Sequence, residues 1–369
     1  MKLMQKYNFI FINGKFLEQK LTGVQRFAYE TVKYIDELIL SDPNYVEFKD
    51  KIFLCIPSDV DESELDFLKN IKIRKAKKGT GIFWEQTHFA NDIRKNKALG
   101  LHLCNTVPFF QKKGIVCLHD ITYTIHPEFV TTGKHQLMRL WHMVQDKVCA
   151  KKTLALLTVS ENSRNEICTC FKIPESRVDV VYNGWQHFST SIAEGTNLSK
   201  WPELQEGKFF YSMSSLAKNK NFTWIIEAAK RHPECTFAVA GKMDLKKYGD
   251  TLSAGSDLKN LHYLGYVSDD EAKLLMKNCR AFIFPSVFEG FGIPPLEALA
   301  MGTKVICAKA SCLPEIFGDS VYYIDPYNYD VDFESLLSKE VSPASVVLEK
   351  YSWKKTAEKT LDVVKRFFK

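Results

Sequence analysis

Residues 284–302 read FPSVFEGFGIPPLEALAMG, and the rest of the chain is best read outward from them. The apolar run Ala281 to Pro285 has strand character and empties into a glycine-rich loop. Pro294 and Pro295 then open a short helix that Gly302 closes, the usual asymmetry of proline at a helix start and glycine past its end. A strand, a glycine loop and a helix N-terminus in succession make an anion site. Unpaired backbone N–H groups point out of the helix end, and glycine lets a diphosphate approach the backbone. Glu289 precedes Gly290 and Gly292, while Glu297 lies one turn inside the helix, with seven residues between the two acids.

The loop separates these carboxylates, so they cannot share one helical face and need different tasks. Glu297, early in the helix, is placed to accept hydrogen bonds from ribose hydroxyls beside a docked diphosphate. Glu289 lies farther along, where a sugar attached to that diphosphate would sit. A blander reading stands beside this one: Glu in a first helical turn offsets the dipole or caps the helix, and a glycine loop alone carries little information.

At 369 residues the chain exceeds one ordinary core and implies two domains. Its 45% hydrophobic and 25% charged residues are those of a soluble globular protein, and a net charge of +6 permits an anionic partner without demanding nucleic acid. Ten cysteines are scattered with no CxxC, so the thiols read as reduced and the compartment as cytoplasmic. The N-terminal apolar stretch is too short for a signal peptide, and no run of about 18 apolar residues occurs, so no membrane span is expected.

Short apolar runs alternate with helical stretches along both halves. In the first they are Lys6 to Ile12, Ile52 to Ile56, Ile71 to Ile73, Leu101 to Cys104, Ile115 to Leu118, Leu154 to Val159 and Val178 to Tyr182. In the second they are Phe209 to Met213, Thr236 to Ala240, Leu261 to Leu264, Ala281 to Phe284, Lys304 to Cys307 and Val321 to Ile324. That rhythm means parallel sheets with helices on both faces, whose ligands bind beyond the carboxyl ends of strands. His119-Asp120 follows Ile115 to Leu118 at such an end, where a histidine is also an ordinary hydrogen-bonding residue. Ser189 to Lys208 loses periodicity and reads as the linker region.

Asp59-Val60-Asp61 and Asp330-Val331-Asp332 have the Asp-x-Asp form that holds a metal ion in some enzymes, but each precedes a helical pattern and reads as a cap, so no metal is expected. Lys69 to Lys78 (KNIKIRKAKK) holds six basic residues and no acid, and Lys134, Arg139, Lys147, Lys151 and Lys152 dot the helix after Gly133. Such runs are solvated faces or fit loose attachment to an anionic membrane surface.

Glu289, seven residues and Glu297, set in EGFGIPPLEALAMGTKV and followed by Leu313-Pro314-Glu315, resemble the donor-site signature of glycosyltransferase family 4, retaining GT-B enzymes. The SVFEGFGIPPLEA wording is similar to bacterial mannosyltransferases of the group 1 type. The resemblance implies an α/β GT-B fold, two Rossmann-like parallel-sheet domains facing across a cleft. Residues 1–185 would form the acceptor-side domain and 186–350 the nucleotide-sugar-binding domain, with a last helix at about 351–369 packing back on the first. Glu297 would hold the ribose and Glu289 would lie by the donor sugar. Backbone groups of Gly290, Phe291, Gly292 and Ile293 would contact the sugar or phosphates.

TGVQRFAYE resembles the family's first glycine loop, with Gly23 facing the donor phosphates, and the HD step matches its cleft histidine, His119, which contacts the sugar. Lys220 corresponds to the phosphate-binding lysine, ahead of a helix that Asn221 could cap, and Tyr266 and Val267 to the loop that receives the base. Many relatives carry an arginine where this chain has Ser215; Lys218 is the substitute at hand, and Lys242 a weaker candidate.

The implied function is transfer of a sugar from a nucleotide diphosphate sugar, with GDP-mannose favoured, to a hydroxyl of a glycan or lipid-linked acceptor in surface polysaccharide (O-antigen) synthesis. Configuration would be retained, with no metal and no cofactor beyond the donor. A sugar-nucleotide epimerase or a non-catalytic sugar-nucleotide-binding protein of the same fold is the alternative. A dehydrogenase would want GxGxxG after the first strand, which INGKFL does not supply, and a glycosidase has no need of a phosphate loop.

Overall fold

A computed structural model describes residues 7–110, 114–129, 133–213, 215, 217–241, 255 and 257–368. The chain divides into two compact units, Met1–Asn183 with Trp353–Lys369, and Gly184–Ser352.

The first unit is built on seven strands: β1 (Phe9–Asn13), β2 (Ile52–Ile56), β3 (Lys72–Lys75), β4 (Ala98–His102), β5 (Gly114–Cys117), β6 (Ala155–Thr158) and β7 (Val178–Val180). They pair in parallel in the order β3-β2-β1-β4-β5-β6-β7. Central strands are buried along their length, which is why they read as unbroken apolar runs rather than as alternating patterns. Helices α1 (Gly23–Ser41), α2 (Gly133–Lys152) and α3 (Glu161–Phe171) belong to this unit. α1 buries Phe27, Ala28, Thr31, Val32, Ile35, Leu38 and Ile39, the stripe its helical spacing calls for.

The second unit repeats the plan with β8 (Phe209–Met213), β9 (Thr236–Ala240), β10 (Leu261–Gly265), β11 (Ala281–Phe284), β12 (Val305–Ala308) and β13 (Tyr322–Ile324), parallel in the order β10-β9-β8-β11-β12-β13. Its helices include α4 (Phe222–Arg231), α5 (Asp269–Asn278) and α6 (Ile293–Ala300). Trp224, Phe210, Phe237 and Phe333 pack in its core. The last helix, α7 (Trp353–Phe368), returns to the first unit, where it packs along α1; Trp353, Leu361 and Val364 are buried, and the Trp353 ring meets Phe27 edge-on at 6.2 Å.

Both units are Rossmann-like: the strand order reverses between the first strand and the fourth, and the loops leaving those two strands flank one crevice. No helix among the described residues is long and apolar enough to cross a membrane.

Four apolar runs, Ile52 to Ile56, Phe209 to Met213, Thr236 to Ala240 and Ala281 to Phe284, coincide with their strands, and elsewhere an edge differs by up to three residues. β4 begins at Ala98 and ends at His102, so Leu103 and Cys104 already belong to the loop. Asp61 and Asp332 each accept a backbone hydrogen bond at the start of the following helical turn, from Ser63 and Ser335 at 3.0 Å. The basic run is largely solvated, and three of its residues carry ion pairs: Lys72 with Asp50 at 2.8 Å, Arg74 with Asp92 at 2.9 Å and Lys75 with Glu62 at 3.7 Å.

Candidate active site

In the second unit the crevice lies between β8 and β11. The loops leaving these strands are stitched together before any ligand arrives. Val287 N–H donates to the Asn219 carbonyl at 2.8 Å, and the Asn219 amide donates to the Phe288 carbonyl at 3.1 Å. Asn221 adopts a left-handed backbone, φ 53°, at the start of α4. Its side chain does not cap that helix, as its position had suggested. It donates instead to the carbonyls of Pro285 (3.2 Å) and Pro326 (2.8 Å). A cap would have used its Oδ1 to accept one local N–H; the bonds seen here are donated by Nδ2 and tie three loops together.

This stitching brings Lys220 and Glu289 together. The ammonium spans both carboxylate oxygens, at 2.6 and 2.8 Å. The side chains are 23% and 11% exposed, so the pair is sheltered yet reachable. Glu289 is braced from behind by Ser311, whose hydroxyl donates to the Glu289 carbonyl (2.9 Å) and accepts from its N–H (3.3 Å). Ser311 holds φ at 50°, a left-handed conformation that costs a side-chain-bearing residue about a kcal/mol.

Gly292 is required twice over. It caps α6 with φ 93°, and a Cβ there would lie 2.9 Å from Leu313 Cδ2. The helix end offers fewer donors than its type promises. Its four unpaired N–H positions are Gly292, Ile293, Pro294 and Pro295, and the prolines have none, so Gly292 and Ile293 are the N–H groups it can present. Phe291 is buried and meets Tyr351 edge-on at 5.3 Å.

Glu297 is buried one turn into α6 and accepts from or is paired with His187 Nε2 at 2.8 Å. His187 was invisible in the sequence: it sits in a short turn just after Asn183-Gly184, far from Glu297 along the chain and in no motif. Val267 is buried beyond the end of β10, whereas Tyr266 beside it is 81% exposed. Lys218 shares a helical turn with Lys220, and Lys242 lies outside the described residues.

Gly23 and His119 belong to the first unit. Gly23 opens α1 and is exposed; His119 follows β5 and is buried, its ring edge-on to Phe27 of α1 at 4.7 Å. The imidazole Nε2 lies 2.9 Å from the Leu103 carbonyl, which can only accept, so Nε2 carries the hydrogen and Nδ1 keeps the lone pair. Burial pushes this pKa down, against the opposing pull of the Leu103 carbonyl and Asp120.

The first unit has its own Lys–Glu pair at the reversal between β1 and β4. Lys15 Nζ meets Glu85 Oε2 at 2.5 Å, in a π-helical turn (Glu85–Phe89). Asn13 and Thr106 each bond Glu85 Oε1 at 2.7 Å, and Lys15 also donates to Thr106 at 2.9 Å. The Glu85 side chain is 0% exposed. The one local signal for this network was Gly14, where an added Cβ would lie 2.5 Å from the Cys55 carbonyl.

Residues 195–341 match the family model described as Glycosyl transferases group 1 and form a domain of that family. An uncharacterized glycosyltransferase of Methanocaldococcus jannaschii is 31% identical over 57% of this chain, a match that spans 59% of that protein's length. O-antigen chain mannosyltransferase B of Escherichia coli is 25% identical over 70% of this chain and 72% of its own length. Among solved structures, Anabaena HepE in complex with UDP and glucose aligns over 98% of this chain and 100% of its own with a TM-score of 0.68 at 14% identity. The fold is GT-B.

Proposed function

We propose that this chain, through its group 1 glycosyltransferase domain, moves a hexose from a nucleotide diphosphate sugar to a hydroxyl of a glycan or lipid-linked acceptor in surface polysaccharide synthesis, with retention and without a metal ion. The observation that carries the reading is the Lys220–Glu289 pair, held at the strand reversal beside the N–H groups of Gly292 and Ile293. GDP-mannose is the favoured donor, because relatives named mannosyltransferases recur among the matches.

In the free protein the Lys220 ammonium is neutralised by Glu289. A diphosphate competes for it, and the charge that develops on the leaving group is then met by Lys220 and the two N–H groups. Glu289, released, faces the positive charge that develops at the anomeric carbon. The bond from that carbon to the diphosphate oxygen breaks, and the acceptor oxygen bonds the carbon on the same face. Its proton passes to the departing phosphate, so no separate protein base is needed. Glu297, steadied by His187, takes the ribose hydroxyls; Val267 and Tyr266 receive the base; Gly23 approaches the phosphates and His119 Nδ1 accepts from a sugar hydroxyl.

The test is release of nucleotide diphosphate from a panel of GDP-, UDP- and dTDP-sugars, with and without EDTA. GDP-mannose turnover that survives the chelator is expected. Turnover lost in EDTA and restored by manganese or magnesium overturns the metal-free mechanism, and binding without turnover of any donor in the presence of glycan acceptors overturns the enzyme.

A further inference from the structure

We propose that the first unit carries a second anion site: a basic cavity at the edge of its sheet that binds phosphate-ester or pyrophosphate groups and is separate from the glycine-loop site of the second unit. The cavity has a volume of about 590 Å³ and lies where β3, the edge strand, and the residues that follow it meet the helical segment containing Trp84, His88 and Lys95. Among the described residues that line it, Asp92 is the one carboxylate, against Arg74, Lys75, Lys77, Lys78 and Lys95.

Arg74 and Asp92 form a finished wall. The guanidinium donates through Nη2 and Nε to both Asp92 oxygens, at 2.9 and 3.1 Å, and lies over the rings of Phe11 (5.0 Å) and Phe53 (5.9 Å). The pair neutralises itself and does not move freely. Below it, Trp84, Phe89 and Cys55 are buried and fix the floor. The turn after Lys78 is fixed as well: Gly79 has φ 97°, and an added Cβ would lie 2.8 Å from His88 Cδ2, so the chain there is pressed against the imidazole.

Four lysines therefore face a volume whose one acid is already satisfied, and the Glu62 partner of Lys75 is distant at 3.7 Å with both side chains solvated. Gathering like charges in this way is unfavourable until an anion bridges them. Lysine is a compact point charge with three donors, suited to a group with several oxygens and more than one negative charge, which describes phosphate esters and pyrophosphate. Lysines on an edge strand also deter pairing with other strands. That purpose is met by β3 itself, which ends at Lys75; Lys77, Lys78 and Lys95 lie beyond it and converge on the same cavity. The phosphate could belong to a lipid headgroup or to a soluble ester.

Calorimetric titration of inorganic pyrophosphate into the full chain separates the two sites. The wild type should bind at two, the combined variant Lys77→Ala/Lys78→Ala/Lys95→Ala should weaken one by about tenfold or more, and Lys220→Ala should weaken the other. The three lysines are surface residues, and an unchanged melting temperature checks that the variant folds. Two sites retained at full strength in the triple variant, or a single wild-type site that Lys220→Ala removes, overturns the proposal. If Lys220→Ala changes nothing while the triple variant loses a site, it is the active-site reading that fails and not this one. Sedimentation with phosphatidylcholine vesicles, with and without phosphatidic acid, then identifies the source. Binding that needs phosphatidic acid, and that pyrophosphate and the triple substitution both abolish, assigns the site to a lipid headgroup; pyrophosphate binding without vesicle binding assigns it to a soluble ester.

Discussion

The two units share the order of their first six strands and each set a lysine–glutamate pair at the strand reversal, yet the pairs are built for opposite ends. The glutamate comes from the segment that enters the fourth strand in the first unit and from the loop that leaves it in the second. In the first unit Lys15 and Glu85 are enclosed by Asn13 and Thr106, and Glu85 has no exposed surface. In the second, Lys220 and Glu289 face one another at similar distances but keep part of their surface, with the Gly292 and Ile293 N–H groups in the same loop. An enclosed pair has lost its water and depends on its partners, so it acts as architecture. A half-sheltered pair can exchange its partner for a ligand of the right charge. Topology thus supplies two equivalent crevices, and the side chains of the loops decide which one is filled from within.

The difference is open to attack in four ways. The largest effect should come from Lys15→Ala, which strands a buried carboxylate and should destabilise the protein by about 3–5 kcal/mol in denaturant titration. Lys220→Ala, at a partly solvated pair, should change stability by no more than about 1 kcal/mol. Equal losses for the two variants would erase the contrast.

Next in size is Glu289→Gln. Turnover should fall about a hundredfold, some 2.7 kcal/mol, because the carboxylate acts chiefly in the transition state. Affinity for the bare nucleotide diphosphate should hold or tighten, since Lys220 loses its competing anion. Lys220→Ala should lower both. Kinetics and calorimetry on the two variants check this; wild-type kcat in Glu289→Gln, or nucleotide binding lost as badly as in Lys220→Ala, removes the sugar-side role of Glu289.

Glu297→Ala should weaken nucleotide binding by about 1.5–3 kcal/mol, the usual worth of hydrogen bonds to a charged group. His187→Ala should reproduce part of that loss by freeing the carboxylate it steadies. Calorimetry showing unchanged nucleotide affinity for Glu297→Ala would remove the ribose assignment.

The smallest effect is a slope. Asp146 of α2 is buried, and burial pushes its pKa up to about 7, with a contrary hydrogen bond from Thr124 and a further upward push from Asp120. A folded pKa above the unfolded one means stability is fully present below about 4 and is lost as pH rises through about 7, at no more than about 1.4 kcal/mol per pH unit. Asp146→Asn should flatten melting temperature against pH across that interval. An unchanged slope would show that Asp146 is not in this balance.

The sequence made the strand–loop–helix unit from Ala281 to Ala300 legible because its determinants are local: an apolar run, glycines at a turn, prolines at a helix start. The same holds for the caps at Asp61 and Asp332. Contacts between distant segments were not legible. Asn221 serves Pro285 and Pro326 rather than its own helix, His187 reaches Glu297, and Glu85 gathers Asn13, Lys15 and Thr106. In each case the partner is chosen by how strands are ordered in the sheet, and no spacing along the chain records that order. Ser311 lies between these cases, since a left-handed serine carries no local signature until the peptide it braces is known.

The excursion of the chain into the second unit and back has a consequence for how the protein is made. α7 covers α1, but more than a hundred and fifty residues of other structure, Gly184–Ser352, are synthesised between them. As the chain leaves the ribosome, the second unit is complete while the first still lacks the helix that buries Trp353, Leu361 and Val364 against it. The first half of the sequence is therefore the later half to finish folding. Until α7 emerges, the part of α1 that it covers stands open on the nascent chain, where a chaperone or an aggregate can find it.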